Sequence, residues 1–119
     1  MESKKWNRWK GDCSEEFARA YLENMKWTII AAPFRCKTGE IDIIALDGNT
    51  LVFIEVKSRE TIDYGSPILA VNYKKQRKII RTARYYLTFG KPPVFEYCRF
   101  DVLGLIPRPG QEGFAVNHI

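Results

Sequence analysis

The chain has 119 residues, of which 45% are hydrophobic and 13% aromatic, so we expect one folded domain spanning residues 1–119 and exclude a disordered chain. No apolar run reaches the roughly 18 residues that a membrane-spanning helix needs, and the charged N-terminus has no signal-peptide stretch, which predicts a cytoplasmic protein. The net charge of +5 and the pI near 9.2 favour polyanionic partners.

The first half of the chain is predicted to form one helix followed by three strands. Apolar residues at helical spacing predict a helix from Cys13 to about Met25. The apolar, β-branched run Trp27–Ala32 predicts a strand. Two further strand-like runs, Glu40–Leu46 and Leu51–Lys57, flank the turn-forming residues Asp47–Thr50 and therefore predict a β-hairpin.

The second half is predicted to form a long helix and one or two further strands. A loop over Glu60–Pro67 precedes a helix from about Ala70 to Phe89, which glycine and prolines terminate. A strand over Phe95–Leu103 and a short closing strand over Phe114–Val116 follow. The order α-β-β-β-α-β, with a last edge strand, predicts an α/β fold in which helices flank a mixed β-sheet.

Histidine and cysteine are too few to support much chemistry. His118 is the single histidine and lies beside a C-terminus that we expect to fray, so a His-rich zinc or iron site is excluded. The three cysteines, Cys13, Cys36 and Cys98, are far apart, which predicts reduced and mostly buried thiols. Any bound metal would therefore have oxygen ligands, as magnesium, manganese and calcium prefer.

The predicted hairpin brings two carboxylates together. A two-residue turn at Gly48-Asn49, or a four-residue turn over 47–50, sets Asp42 directly opposite Glu55. A turn at Asp47-Gly48 makes the two acids diagonal neighbours on one face, whereas a three-residue turn would separate them. Alternation then places Glu55 and Lys57 on one face. The opposite face is predicted to be core and carries Ile41, Ile43, Val52, Ile54 and Val56.

Like charges opposite each other in a sheet are destabilising unless a cation neutralises them. Lys57 is one such cation, and a divalent metal is the other. Two carboxylates that hold magnesium can polarise a phosphoryl oxygen and make water more acidic, while a nearby lysine orients that water or stabilises charge on the phosphate. The alternative is a solvated strand face without a function.

Gly39-Glu40-Ile41-Asp42, followed after 13 and 15 residues by Glu55 and Lys57, resembles the PD-(D/E)-x-K nuclease signature. More closely, the chain resembles the YraN-like family of small bacterial proteins, which is related to archaeal Holliday junction resolvases. The resemblance covers nearly the whole chain. It includes Glu15 with Ala18, Tyr21 and Leu22, then Arg35, the run Leu51–Arg59, Gly65, Ala70-Val71, Lys75-Gln76 and Arg99–Val102.

This resemblance implies a restriction-endonuclease-like three-layer core and a metal-dependent site. By the resemblance, Asp42 and Glu55 are the ligands of Mg²⁺ or Mn²⁺, and Lys57 is the catalytic lysine. Glu15 matches an additional acidic residue of resolvase-like sites and would hold the metal through a water.

Basic residues of the second predicted helix are candidates for binding DNA phosphates without reading sequence. The helix is also predicted to bury an apolar face formed by Ile79, Ile80, Ala83, Tyr86 and Leu87. The alternative for the basic residues is a solvated helix face. The predicted nucleic-acid-binding residues are Arg35, Arg59, Lys74, Lys75, Arg77, Arg81 and Arg84.

We therefore expect a magnesium-dependent endonuclease that hydrolyses phosphodiester bonds in branched or otherwise structured DNA, with no membrane partner. A homodimer is expected by analogy with two-fold-symmetric resolvases. One alternative is a non-catalytic nucleic-acid-binding module of a DNA-processing assembly, in which the acids hold a structural ion. Another is a protein-interaction domain whose basic helix meets an acidic partner. Salt-dependent DNA binding separates this last function from the other two.

Overall fold

A mixed five-stranded sheet with a helix on each face forms the body of the protein in the computed structural model, which describes residues 14–58, 73–108, 110 and 113–119. Several predictions fall outside the described residues. They are the loop over Glu60–Pro67, the helix start at Ala70, the DNA-binding role of Arg59 and the burial of Cys13. The elements are α1 (residues 14–24), β1 (Thr28–Ala31), β2 (Phe34–Cys36), β3 (Gly39–Ile41), β4 (Ile43–Asp47), β5 (Thr50–Ser58), α2 (Tyr73–Phe89), β6 (Tyr97–Pro107) and β7 (Phe114–His118).

The sheet has the strand order β1-β4-β5-β6-β7. Only the β5–β6 pair is parallel, and the remaining pairs of this sheet are antiparallel. Helix α2 lies in the connection between the two parallel strands, as such a crossover requires. Layers of helix, mixed sheet and helix confirm the predicted α/β fold and are compatible with a restriction-endonuclease-like core.

Each helix covers one hydrophobic cluster of the sheet. Ala18 and Leu22 of α1 are fully buried against strand residues such as Val52 and Ile54. Full burial of one leucine stabilises the fold by about 1.5–3 kcal/mol. The helix ends before Lys26, whose φ of 69° is left-handed and cannot continue an α-helix. These contacts fix α1 over one face of the sheet.

Helix α2 covers the opposite face with Ala83 and Tyr86, which are buried against Phe53 and neighbouring strand residues. Ile80 was predicted to belong to this apolar face, but it is 41% exposed. The prediction was wrong because the buried stripe is narrower than the apolar arc of the helix. The backbone amide of Gly90 donates to the carbonyl oxygen of Tyr86 at 2.6 Å as the helix ends.

The central hairpin has the two-residue turn that puts Asp42 at the position opposite Glu55. Asp47 pairs with Thr50, and Ile43 pairs with Ile54. The predicted strand over Glu40–Leu46 is interrupted at Asp42, however, so that β3 leaves the main sheet. It pairs instead with β2, a strand that the sequence did not predict, in a separate two-stranded sheet.

Strand β5 is buried on both faces over residues 51–54, and not on one face only as predicted. Val52 and Ile54 pack in the cluster under α1, whereas Leu51 and Phe53 pack in the cluster under α2. Ile41 packs in the α2 cluster as well, and not with Ile43, because the interruption at Asp42 shifts the alternation. Only the end of β5 becomes accessible.

The C-terminal strand is held by side chains and does not show the fraying that we expected. His118 Nε2 lies 2.7 Å from Oδ2 of the buried Asp101, and Tyr21 OH on α1 lies 3.4 Å from His118 Nδ1. Asp101 also accepts a hydrogen bond from Arg99 Nε at 3.0 Å. Asp101 therefore links β6 to β7, and through His118 to α1.

The two described cysteines are free, but they are not both buried as predicted. Cys36 is half-buried at the end of β2, whereas Cys98 is exposed near the start of β6. Within the described ranges, neither helix has the length and apolar character needed to cross a membrane.

Candidate active site

Asp42 lies in the gap between β3 and β4, where the main-chain pairing of the sheet is interrupted. Its Oδ2 accepts a hydrogen bond of 2.8 Å from the backbone amide of Val56. The side chain thus satisfies a strand amide that lies beyond the paired part of the hairpin. This contact fixes the carboxylate next to the end of β5, where Glu55 and Lys57 lie.

Asp42 and Glu55 line the same cavity of about 310 Å³, as the hairpin register predicted. Lys75, Lys78 and Ile79 of α2 complete the wall on the helix side. The site therefore lies between the end of β5 and the first turns of α2. We call this space the acidic cavity.

The surroundings of Asp42 oppose its ionisation. Burial, and after it the negative charge of Glu55, raise the pKa of this carboxyl from 3.8 to about 6, although the hydrogen bond from Val56 acts in the opposite direction. Negative charges in one cavity repel each other, and a cation bound between them would relieve that repulsion.

Two lysines place positive charge beside Glu55. Lys75 Nζ lies 3.1 Å and Lys57 Nζ lies 3.4 Å from the same oxygen, Glu55 Oε1. The side chain of Glu55 is only 11% exposed, so these ion pairs are weakly screened. The sequence had assigned Lys75 to the DNA-binding surface, but the structure brings it directly to the carboxylate.

The two lysines differ in how readily they lose a proton. Burial lowers the pKa of Lys57, and the hydrogen bond and positive charge of Lys75 lower it further. Burial also disfavours charge on Lys75, but its hydrogen bonds with Lys57 and Glu55 and the negative charge of Glu55 outweigh burial, so that its pKa is raised. Lys57 is therefore the lysine of this pair that is better suited to exchange a proton.

Glu15 lines a cavity together with Asp42 but not together with Glu55. It is exposed on α1 and lines a second cavity of about 240 Å³ together with Asp42, Glu16 and Arg19. Asp42 thus lies between this cavity and the acidic cavity. Among residues 14–58, 73–108 and the described C-terminal positions, no three His, Cys, Asp or Glu side chains are grouped closely enough to hold a metal by themselves.

The pair Asp42 and Glu55 nevertheless fits a hard divalent cation. Magnesium prefers oxygen ligands and is usually bound by one or two carboxylates, with waters and substrate phosphates completing its shell. Both acids line one cavity, where burial and the negative charge of Glu55 raise the pKa of Asp42. The donor set matches magnesium or manganese, with Glu15 available only from the second cavity.

Most of the predicted DNA-binding residues form an exposed surface along α2. Lys74, Arg77, Arg81 and Arg84 are all exposed. Arg35 is exposed as well but lies on the small β2–β3 sheet, where its Nε contacts Glu40 Oε1 at 3.4 Å. The basic surface therefore begins at the acidic cavity and continues along the helix.

Sequence reasoning did not identify Lys78, Glu16 and Arg19 as residues of these cavities. Lys78 follows Lys75 by three residues and Arg19 follows Glu15 by four, so helical spacing places each with a predicted site residue on one helix face. Spacing alone does not tell which face of either helix is turned towards Asp42.

Comparison with known proteins gives a consistent family. A profile of the Uncharacterised protein family UPF0102 matches residues 14–105. A UPF0102 protein of Geobacter sulfurreducens is 48% identical over 83% of this chain and 77% of its own length. A UPF0102 protein of Clostridium botulinum is 46% identical over 92% of this chain and 89% of its own. A UPF0102 protein of Chlorobium chlorochromatii is 43% identical over 92% of this chain and 86% of its own length. The predicted YraN-like resemblance is thereby confirmed, and the chain belongs to the UPF0102 family.

Proposed function

We propose that this protein is a metal-dependent endonuclease that hydrolyses phosphodiester bonds in DNA, with a preference for branched or otherwise structured DNA. The observation that carries the proposal is the acidic cavity itself. There Asp42 and Glu55 converge, and two lysines contact Glu55. Carboxylates that hold a divalent cation, with a lysine beside them, can promote hydrolysis of a phosphodiester.

Asp42 and Glu55 would hold Mg²⁺ or Mn²⁺. The cation would supply positive charge that polarises a phosphoryl oxygen and makes nearby water more acidic. The hydrogen bond from the Val56 amide keeps Asp42 Oδ2 oriented, so that its other oxygen can face the cavity. Glu15 would assist through water from the second cavity.

Lys57 would orient the attacking water and stabilise negative charge on the phosphate. Its lowered pKa also makes it the better proton-exchanging lysine. Lys75 and Lys78 would bind the phosphate of the reacting nucleotide, since both line the acidic cavity. Phosphate contacts of this kind carry no sequence information, which favours selection by DNA structure.

The exposed cations of α2 would extend this binding to neighbouring phosphates. Lys74, Arg77, Arg81 and Arg84 line one accessible helix, and Arg35 would contribute from the small sheet. Each phosphate that is neutralised releases counterions, so affinity should fall steeply with salt.

One observation favours a second function. Glu55 already has two ammonium groups beside it, so that its charge is balanced without a metal. A binding module that holds DNA without cutting it would retain these ion pairs for stability.

Cleavage of labelled DNAs separates the two functions. Linear duplex, single strand, flap and four-way junction are incubated with Mg²⁺, Mn²⁺ or EDTA and with wild type, Asp42→Ala or Lys57→Met. We expect metal-dependent products from the branched DNAs and at least about a hundredfold loss in both variants. Salt-dependent binding without products from wild type would favour the binding module, and absence of both would overturn the nucleic-acid function.

A further inference from the structure

A third cavity, which is apolar and has a volume of about 290 Å³, lies beside the acidic cavity, between α2 and strands β5 and β6. Most of its wall is hydrocarbon and aromatic, and its polar residues are Glu55, Gln76 and Asp101. The residues that matter below are Phe53, Gln76, Ile79, Ile80, Phe100 and Val102. Pockets that hold a drug-sized ligand have volumes of about 300 Å³ or more. This cavity lies at that lower limit, so it has room for one base and not for a base pair.

The two cavities share part of their walls. Glu55 and Ile79 line both of them. On one side of Glu55 lie Lys75, Lys78 and Asp42, and on the other side lies the aromatic wall. A ligand that spans both would combine an anionic group with a flat apolar group within a few bonds of each other, which describes a nucleotide.

Phe100 offers an aromatic surface at this place. Its ring stacks on the buried Phe53, with centroids 5.3 Å apart and an interplanar angle of 28°, yet Phe100 remains 48% exposed. Ile80 beside it is exposed as well. Apolar side chains that line a cavity and remain in contact with water favour a ligand that covers them.

The geometry points to a binding site for one unpaired nucleobase, stacked against Phe100, while the adjoining phosphate lies at the lysines of the acidic cavity. This inference rests on the proposed function and deepens it. The substrate class is DNA that carries an unpaired nucleotide next to the phosphate to be cut, as in bulges, flaps and junctions whose central base pairs have opened. A base in a regular duplex is stacked within the helix, and it would have to be unpaired and flipped out before it could enter the cavity.

Charge complementarity favours a nucleotide over an apolar peptide as the occupant. The cations of the acidic cavity and of α2 would attract a polyanionic strand and bring its bases to the cavity mouth. Stacking on an aromatic side chain tolerates any base, because every base has a π-face. The site would therefore select for unpaired structure and not for sequence.

Binding of two fluorescent duplexes tests this inference. One carries 2-aminopurine as a single unpaired nucleotide, and the other carries it paired with thymine. Both are titrated in EDTA, so that no cleavage occurs, with wild type, Phe100→Leu and Phe100→Tyr. Tyr97→Leu is the matched control, because Tyr97 is an exposed aromatic residue of the same strand that does not line the cavity. Melting curves verify that each variant is folded.

We expect wild type to bind the unpaired probe about 5- to 100-fold more tightly than the paired one, in line with the energy of one base–aromatic stack. Stacking should also quench the 2-aminopurine fluorescence. Phe100→Leu should lose the preference and the quenching, whereas Phe100→Tyr and Tyr97→Leu should keep both.

Equal affinity of wild type for the two probes, absence of quenching, or full quenching by folded Phe100→Leu would overturn the inference. So would binding of neither probe, which leaves a peptide as the better occupant. Because the assay contains no metal, a positive result together with a failure to cleave any DNA would contradict the proposed nuclease and not the base site. Cleavage without a preference for the unpaired probe would contradict only the base site.

Discussion

Lys75 Nζ lies 3.1 Å from Glu55 Oε1 and thereby joins the first turn of α2 to the end of β5. Lys57 contacts the same oxygen from its own strand. In the absence of a metal, these two ammonium groups balance the charge of a carboxylate that has little contact with water. A divalent cation that binds Glu55 would therefore have to compete with them.

This competition predicts the effect of Lys75→Met on metal affinity. Removing one unit charge near Glu55 should tighten the binding of Mn²⁺ at least about fivefold, since even in bulk water two unit charges at about 4 Å interact by about 1 kcal/mol. Isothermal titration calorimetry without DNA measures it. Lys74→Met changes an exposed lysine next to it on α2 and should leave the metal affinity unchanged. Weaker metal binding by Lys75→Met would contradict the competition.

Asp42→Asn should stabilise the metal-free protein at neutral pH. The folded-state pKa of about 6 lies above the ordinary aspartate pKa of 3.8, so the native state holds the proton more tightly than the unfolded chain does. This contribution to stability is complete below pH 3.8 and is lost as the pH rises through about 6. At pH 7.5 the ionised carboxylate should cost about 1–3 kcal/mol.

Thermal melting in EDTA checks this sign. At pH 7.5 the Tm of Asp42→Asn should exceed that of wild type by several degrees, and the difference should vanish near pH 4. Added Mg²⁺ should raise the Tm of wild type only. Asp47→Asn, at an acid that pairs with Arg99 outside the site, should bring no gain. A lower Tm of Asp42→Asn at pH 7.5 would show that the Val56 hydrogen bond outweighs the charge repulsion.

Gly39→Ala should displace Asp42 through the backbone. Gly39 has a φ of 151°, which side chains rarely permit, and a Cβ there would lie 2.9 Å from Oγ1 of the buried Thr82. We expect a loss of about 1–3 kcal/mol in stability together with reduced cleavage, because β3 leads directly into Asp42. Chemical denaturation and the cleavage assay measure both. Gly48→Ala also has a positive φ but meets no atom within 4 Å, and it should cost less.

His118→Ala should lower stability without changing the chemistry. It removes the partner that lies 2.7 Å from the buried Asp101, although Arg99 remains in contact with that carboxylate. A loss of about 1–3 kcal/mol is expected for a buried group that loses one partner. Denaturation curves measure it, with Asn117→Ala as the control. A large loss of cleavage rate, measured at a temperature where the variant is still folded, would imply that His118 acts at the site.

The local part of this architecture was predictable from sequence. The turn-forming residues 47–50 predicted the hairpin but left its register open, and the two-residue turn at Gly48-Asn49, which was one of the alternatives, is the turn that forms and brings Asp42 opposite Glu55. The interruption at Asp42 was not predictable, because Ile41 and Ile43 continue an apparent alternation across it. Strand β2 also escaped prediction, since a strand of three residues has too few positions to show a period.

The role of Lys75 depends on tertiary packing. Helical spacing tells which cations share one side of α2, but the crossover between β5 and β6 decides which side meets Glu55. Ile80 illustrates the same limit, since its apolar character predicted burial while the packing of Ala83 and Tyr86 left it accessible. The catalytic and DNA-binding roles of these residues stay predictions.

Glu55 and Lys57 lie within the register that pairs all nine residues of β5 with β6. The amide hydrogens of these two residues should therefore exchange with solvent no faster than global unfolding of the domain allows. A site on such a strand should stay formed for as long as the sheet itself is folded. Destabilising substitutions elsewhere would then lower the number of active molecules in a cell and leave the rate constant of each folded molecule unchanged.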